Sequence, residues 1–224
     1  MTLLIAAALS GELASACKAC RALSPLEGRG PVRRQGDCGG YTCFFLRTGI
    51  GMGRAARRLE AAIAQTHPSA ILVTGYAGAL DPALQAGDLL IARRVWAPAG
   101  GAPVSWKPGA GEDLELAARA ANLAFRIGEI LTVPRPVGRA AQKARLFRAF
   151  RAAAVDMETA ALARVAAERA VPFRCVRAVS DRAGESLAFG FLLPRAGVAA
   201  ARRTLEAFFA AYFPILAAAE RASG

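Results

Sequence analysis

Along this chain the spacing of apolar positions switches repeatedly between the strand and helix periods. Thr2 to Leu9 is an unbroken apolar run of strand length, and Ser10 can cap a helix predicted to reach about Leu23. From Pro31 to Thr48 two strand-like runs flank Gly36-Asp37-Cys38-Gly39-Gly40, a hairpin pattern, and the second run, starting at Tyr41, leads into Gly49-Ile50-Gly51-Met52-Gly53. A helix follows to about His67, before Pro68. Ala70 to Thr74 then reads as a buried strand ending in a Gly75-Tyr76-Ala77-Gly78 turn, and Gly87-Asp88 opens a strand from Leu89 to Trp96. Pro98 to Gly111 is rich in glycine and proline and reads as irregular. Helical spacing returns from Glu112 to Arg126, then a short strand from Ile130 to Val133 and a basic helix from about Arg139 to Arg151. Val155-Asp156-Met157-Glu158 is predicted to open a further helix. A strand follows from Phe173 to Val179, then a loop from Ala183 to Leu193 and an amphipathic helix from Arg195 to about Ala219. Strands alternating with helices predict an α/β three-layer sandwich, the sheet between two layers of helices.

Composition narrows this picture. With 224 residues and 54% hydrophobic content the chain can bury one substantial core, and no linker-like stretch divides it, so residues 1–224 are expected to form a single domain. The small-residue run before Cys17 has the look of an export signal, but it lacks a positive start and is interrupted at Gly11-Glu12; it is read as the first strand. Five cysteines, an odd number without framework spacing, suit a reducing cytoplasm. Cys17 and Cys20 have C-x-x-C spacing, yet no second pair follows and His67 is the sole histidine, so no metal site is expected. The net charge of +12 comes from arginines scattered along helices without interleaved aromatics, which fits solvated helix faces better than a nucleic-acid groove. A basic nucleic-acid-binding protein without catalysis stays as a distant alternative.

The candidate chemistry starts from Arg177. Period-2 alternation puts it on one strand face with Phe173, Cys175 and Val179, where a guanidinium is costly unless a carboxylate from elsewhere meets it. Glu12, at the junction of the first strand and helix, is either a first-turn acid or that partner. Asp156 suits an N-cap and Glu158 a first turn, and Ser180-Asp181 can cap a helix or end a site. The glycine loop at 49–53 lacks G-x-G-x-x-G spacing because Arg54 stands in it, which excludes a dinucleotide site.

V-D-M-E-T-A-A-L-A from Val155 and V-P-F-x-x-V-R-A-V-S-D from Val171, with Thr74 to Leu80, Gly87-Asp88 and Gly49-Ile50-Gly51 in matching order, resemble the purine nucleoside phosphorylase and nucleosidase superfamily. Within it the match is to the methylthioadenosine/S-adenosylhomocysteine nucleosidase branch. The resemblance covers nearly the whole chain and implies a central mixed, twisted sheet and cleavage of a purine N-ribosyl bond. It assigns Asp181 as acid toward the base, Glu12 as the group activating water, and Arg177 as the residue holding Glu12. Glu158 would accept from the ribose hydroxyls and Met157 would pack on the sugar, with Ser180, Tyr76, Ala77, Gly78, Gly51 and Phe189 completing the substrate site. No cofactor is implied, and a homodimer or larger assembly in the cytoplasm is. Related hexameric phosphorylases carry an arginine and a serine where this chain has Val73 and Tyr76, which favours water over phosphate as nucleophile; Arg47 would be the phosphate contact in the alternative. Leu131-Thr132-Val133-Pro134 replaces the branch's G-D-x-F motif. That region and the VDME spelling look closer to hopanoid-associated phosphorylases, for which an adenosylated lipid and a basic, membrane-facing surface would make sense.

Overall fold

The computed structural model describes residues 1–98, 102–188 and 192–223, with side chains to Ala219. Its elements run β1 (Thr2–Ala7), α1 (Ser10–Ala19), β2 (Arg21–Pro25), β3 (Arg34–Cys38), β4 (Tyr41–Arg47), α2 (Met52–Thr66), β5 (Ala70–Val73) and β6 (Tyr76–Ala79). They continue as β7 (Leu89–Ala97), β8 (Val104–Trp106), α3 (Glu112–Ala120), β9 (Phe125–Thr132), α4 (Ala140–Phe150), β10 (Ala154–Asp156), α5 (Thr159–Glu168), β11 (Phe173–Asp181) and α6 (Arg195–Ser223). Among the described residues no helix is long and apolar enough to cross a membrane.

The strands form one mixed sheet in the order β2-β3-β4-β1-β5-β11-β6-β10-β9-β7-β8. β1 lies parallel between β4 and β5, and β11 runs parallel to β5 and β6. β7 pairs with β9 and, antiparallel, with β11, so β11, β6, β10, β9 and β7 close into a ring. Closure demands close backbone approach: a Cβ at Gly128 would stand 2.9 Å from Leu90 Cδ1 and 3.0 Å from the Ala153 Cβ.

Both faces of the sheet are covered, which explains why β1 is apolar without interruption. Leu4 and Ala6 join the core under α2 and α5; Leu3, Ile5 and Ala7 join the one under α1, α3 and α6, with Leu114, Phe208 and Tyr212. The α/β architecture with a central sheet between helices is thus as expected from the sequence, and several boundaries differ. The first helix stops at Ala19, because Arg21–Pro25 pairs with β3 as an edge strand. The hairpin turn is the pair Gly39-Gly40, both at positive φ, as a two-residue turn requires. Tyr76–Ala79 is a strand rather than a turn, and Val104–Trp106 within the irregular stretch is another. Helix α3 ends at Ala120 and its expected last turn belongs to β9, whose pairing with β7 outweighs local helical spacing. Asp156 closes β10, so the next helix begins at Thr159 instead of at Val155.

Candidate active site

The C-terminal ends of β1, β10 and β11, together with β6, line a cavity of about 290 Å³. Leu9, Glu12, Ile50, Tyr76, Ala77, Gly78, Val133, Arg135, Val137, Asp156, Met157, Glu158, Ser180, Asp181, Leu187 and Leu193 are among its lining residues. A site of mostly apolar wall with a few convergent polar groups suits a small molecule.

Glu12 is buried in the first turn of α1. Its Oε2 accepts from the Leu9 amide at 2.7 Å and its Oε1 from the Tyr76 amide at 2.8 Å. Burial raises its pKa above the ordinary glutamate value, although the Arg177 field and both amides pull the other way. The backbone needed for this grip is unusual: Gly75 sits at φ 139°, and a Cβ there would collide with Arg177 Nη1 and lie 2.8 Å from Glu12 Oε1.

Arg177 is fully enclosed, as its apolar strand face demands, but its partner is not the expected one. Its Nη2 donates to Asp156 Oδ2 at 2.7 Å and to Thr159 Oγ1 at 2.6 Å, and its Nη1 to the Thr74 carbonyl at 2.9 Å. The expected Glu12–Arg177 ion pair is therefore corrected to Asp156–Arg177. Because Asp156 ends β10, its side chain reaches across to β11, whereas each Glu12 oxygen already accepts from a backbone amide. Thr132 Oγ1 donates to the other Asp156 oxygen at 2.6 Å.

Glu158 follows two residues later, with Oε1 accepting from the Gly51 amide at 2.8 Å. Gly51, at φ 94°, thus joins the site through its backbone. Burial, then the negative charge of Asp156, pushes the Glu158 carboxyl up to about 7. Met157 lines the cavity half-buried between these acids. Tyr76 presents backbone to Glu12 while its ring packs toward the α6 side. Asp181 ends β11, 1% exposed; Ser180 Oγ donates to its Oδ1 at 2.7 Å, and Gly78 leaves room for the carboxylate. Phe189 lies outside the described residues. Lys143, missed by sequence reasoning, donates to Asp181 Oδ2 from α4. One signal was present: Lys18, Lys107 and Lys143 are the lysines of an otherwise arginine-rich chain.

The profile of the phosphorylase superfamily matches residues 2–210. The chain belongs to that superfamily. Among relatives of this phosphorylase-superfamily chain, a 5′-methylthioadenosine/S-adenosylhomocysteine nucleosidase of Staphylococcus aureus is 32% identical over 73% of this chain and 79% of its own length. An aminodeoxyfutalosine nucleosidase of Campylobacter jejuni is 34% identical over 54% of this chain, a match that spans only 60% of that relative. Among solved structures, a Campylobacter jejuni 5′-methylthioadenosine/S-adenosylhomocysteine nucleosidase superposes with a TM-score of 0.83 at 22% identity, covering 97% of this chain and 99% of the other. A Helicobacter pylori futalosine hydrolase superposes at 0.81 and 18% identity, covering 96% and 97%. At these identities the two superpositions show the shared fold.

Proposed function

We propose that this chain hydrolyses the N-ribosyl bond of a purine nucleoside of the adenosine type. The observation that carries the choice of water is the charge of the cavity wall. Glu12 and Glu158 line it held by backbone amides alone, while Asp156 and Asp181 are paired with Arg177 and Lys143; Arg135 is the one cation among its described lining residues, and a phosphate dianion beside Glu12 would be repelled. Arg47, the candidate phosphate contact, points elsewhere: it donates to Ser10 Oγ at 3.1 Å and lines a separate pocket with Arg33, Arg34 and Arg58.

Bond cleavage with oxocarbenium character needs help at both ends. In this reading Asp181 gives a proton to the departing base, and electrons of the glycosidic bond pass to the purine. Glu158 accepts from the ribose hydroxyls, and Met157 packs on the sugar. Glu12 removes a proton from the attacking water; burial makes its carboxylate a stronger base than an exposed one. Arg177 supports these acids through Asp156 and through its field at Glu12, without an ion pair to Glu12. The nucleosidase names of the relatives point the same way. A homodimer or larger assembly completes the reading, since Leu9 and Ile50 line the cavity yet remain substantially exposed.

The deciding experiment incubates the protein with a panel of purine nucleosides, with and without phosphate. Free base and ribose in both conditions are expected. Ribose-1-phosphate, formed only when phosphate is present, would replace this reading with phosphorolysis.

A further inference from the structure

Lys143 is 0% exposed, the one lysine buried in the described residues, and nothing in the expected chemistry uses it. Its ammonium meets three acceptors: Asp181 Oδ2, the Arg182 carbonyl at 2.6 Å and the Glu185 carbonyl at 3.1 Å. A neutral amine has two N–H donors and a lone pair that would face the third acceptor, so this geometry selects the cation. The carbonyls belong to the segment after β11, which is also fastened to the start of α4 by Leu187 N to Gly138 O at 2.7 Å and by Ala140 N to Ser186 Oγ at 3.1 Å. Helix α4 thereby delivers a fixed positive charge to the back of the acid.

We propose that Lys143 is a positioning residue that makes Asp181 an effective acid, by orienting its carboxyl and stabilising the carboxylate left when the proton departs. The proposal rests on the nucleosidase reading above. In the step itself the Asp181 O–H bond breaks and an N–H bond forms on the purine; the glycosidic pair moves to the base, and Asp181 is left as a carboxylate. Oδ2 is committed to Lys143 and Oδ1 takes a hydrogen bond from Ser180, so the developing charge meets donors already in place on both oxygens. Preorganised charge of this kind acts in the transition state, where the carboxylate appears, more than in substrate binding.

The test compares two leaving groups. Adenine needs a proton to depart; p-nitrophenolate, from p-nitrophenyl β-D-ribofuranoside, does not. Lys143→Gln keeps two donors for the loop carbonyls and removes the charge. On adenosine-type nucleosides its kcat should fall about 100-fold with KM within about threefold, and the loss on the p-nitrophenyl riboside should be at least about tenfold smaller. Lys143→Arg, which retains a displaced charge, should recover part of the purine activity. Equal losses on both substrates, or parent-like rates on the purine nucleoside, overturn the assignment. Should Lys143→Gln fail to fold, Lys143→Arg is read instead, with a smaller but still substrate-dependent loss expected and an equal loss on both overturning. A parent enzyme that releases no base from any nucleoside would sink the nucleosidase reading itself, a result distinct from these.

Discussion

In the proposed hydrolysis, two residues of the cavity make opposite demands on the proton. Asp181 must give one up, and Asp181→Asn keeps the shape while removing that capacity, so turnover should fall by about 100-fold or more in a variant that still folds, though less stably because buried Lys143 loses its counter-charge. Wild-type activity in the purified variant would remove it from the acid role. Glu158 must be ionised to accept two hydroxyls, yet burial and Asp156 hold its carboxyl at about 7. Riboside binding should therefore weaken as pH drops below about 7, and Glu158→Gln should raise KM and flatten that dependence, less so for 2′-deoxyribosides. The same shift has a stability consequence of definite sign. Against an unfolded value of 4.5, the folded chain keeps a proton that the unfolded chain has lost, so ionising Glu158 costs stability as pH rises from 4.5 through about 7. The cost is at most about 3 kcal/mol. Thermal midpoints measured across that window should decline with pH, and more gently in Glu158→Gln; equal slopes would show that this carboxyl is not shifted.

Asp156, Thr159 and Arg177 tie β10, the start of α5 and β11 into one buried knot, and its energetics separate structure from catalysis. Asp156→Asn leaves the Arg177 cation without its counter-charge, and a loss of about 3–5 kcal/mol in urea unfolding is expected. Glu12→Gln keeps an acceptor for one of the Leu9 and Tyr76 amides and turns an NH2 toward the other, so it should cost about 1–3 kcal/mol, less than Asp156→Asn, while hydrolysis is lost. A reversed order of stabilities would restore Glu12 as the partner of Arg177. That partnership shows where the sequence was legible. Strand alternation correctly put Arg177 with Phe173, Cys175 and Val179 on one face and called for a carboxylate. It could not name Asp156, because residues 155–158 read as helix and an N-cap side chain does not reach a neighbouring strand. Lys143 was hidden for a related reason, since a basic helix looks solvated until tertiary packing encloses one of its turns. The long apolar runs β1 and β5 were readable because both faces are buried. Phe125-Arg126-Ile127 was not, since its strand character comes from pairing with β7.

At the scale of the whole molecule, an acidic cavity sits in a chain of net charge +12, and its mouth is unfinished. Leu9 is 40% and Ile50 55% exposed although both line the cavity, so apolar wall faces water at its mouth; in the reading proposed above, a substrate's 5′ group would lie against it. A second copy covering this edge would bury those side chains and complete the wall, at the cost of bringing two positive chains together. Association of like-charged subunits strengthens as salt screens them. Sedimentation velocity should thus show a species of twice the chain mass whose dissociation constant falls between low and physiological ionic strength. Ile50→Asp should shift it toward monomer and raise KM more for nucleosides with an apolar 5′ substituent than for adenosine. A fully active monomer at assay concentrations, with Ile50→Asp indifferent to the 5′ group, would show instead that one chain closes the site alone.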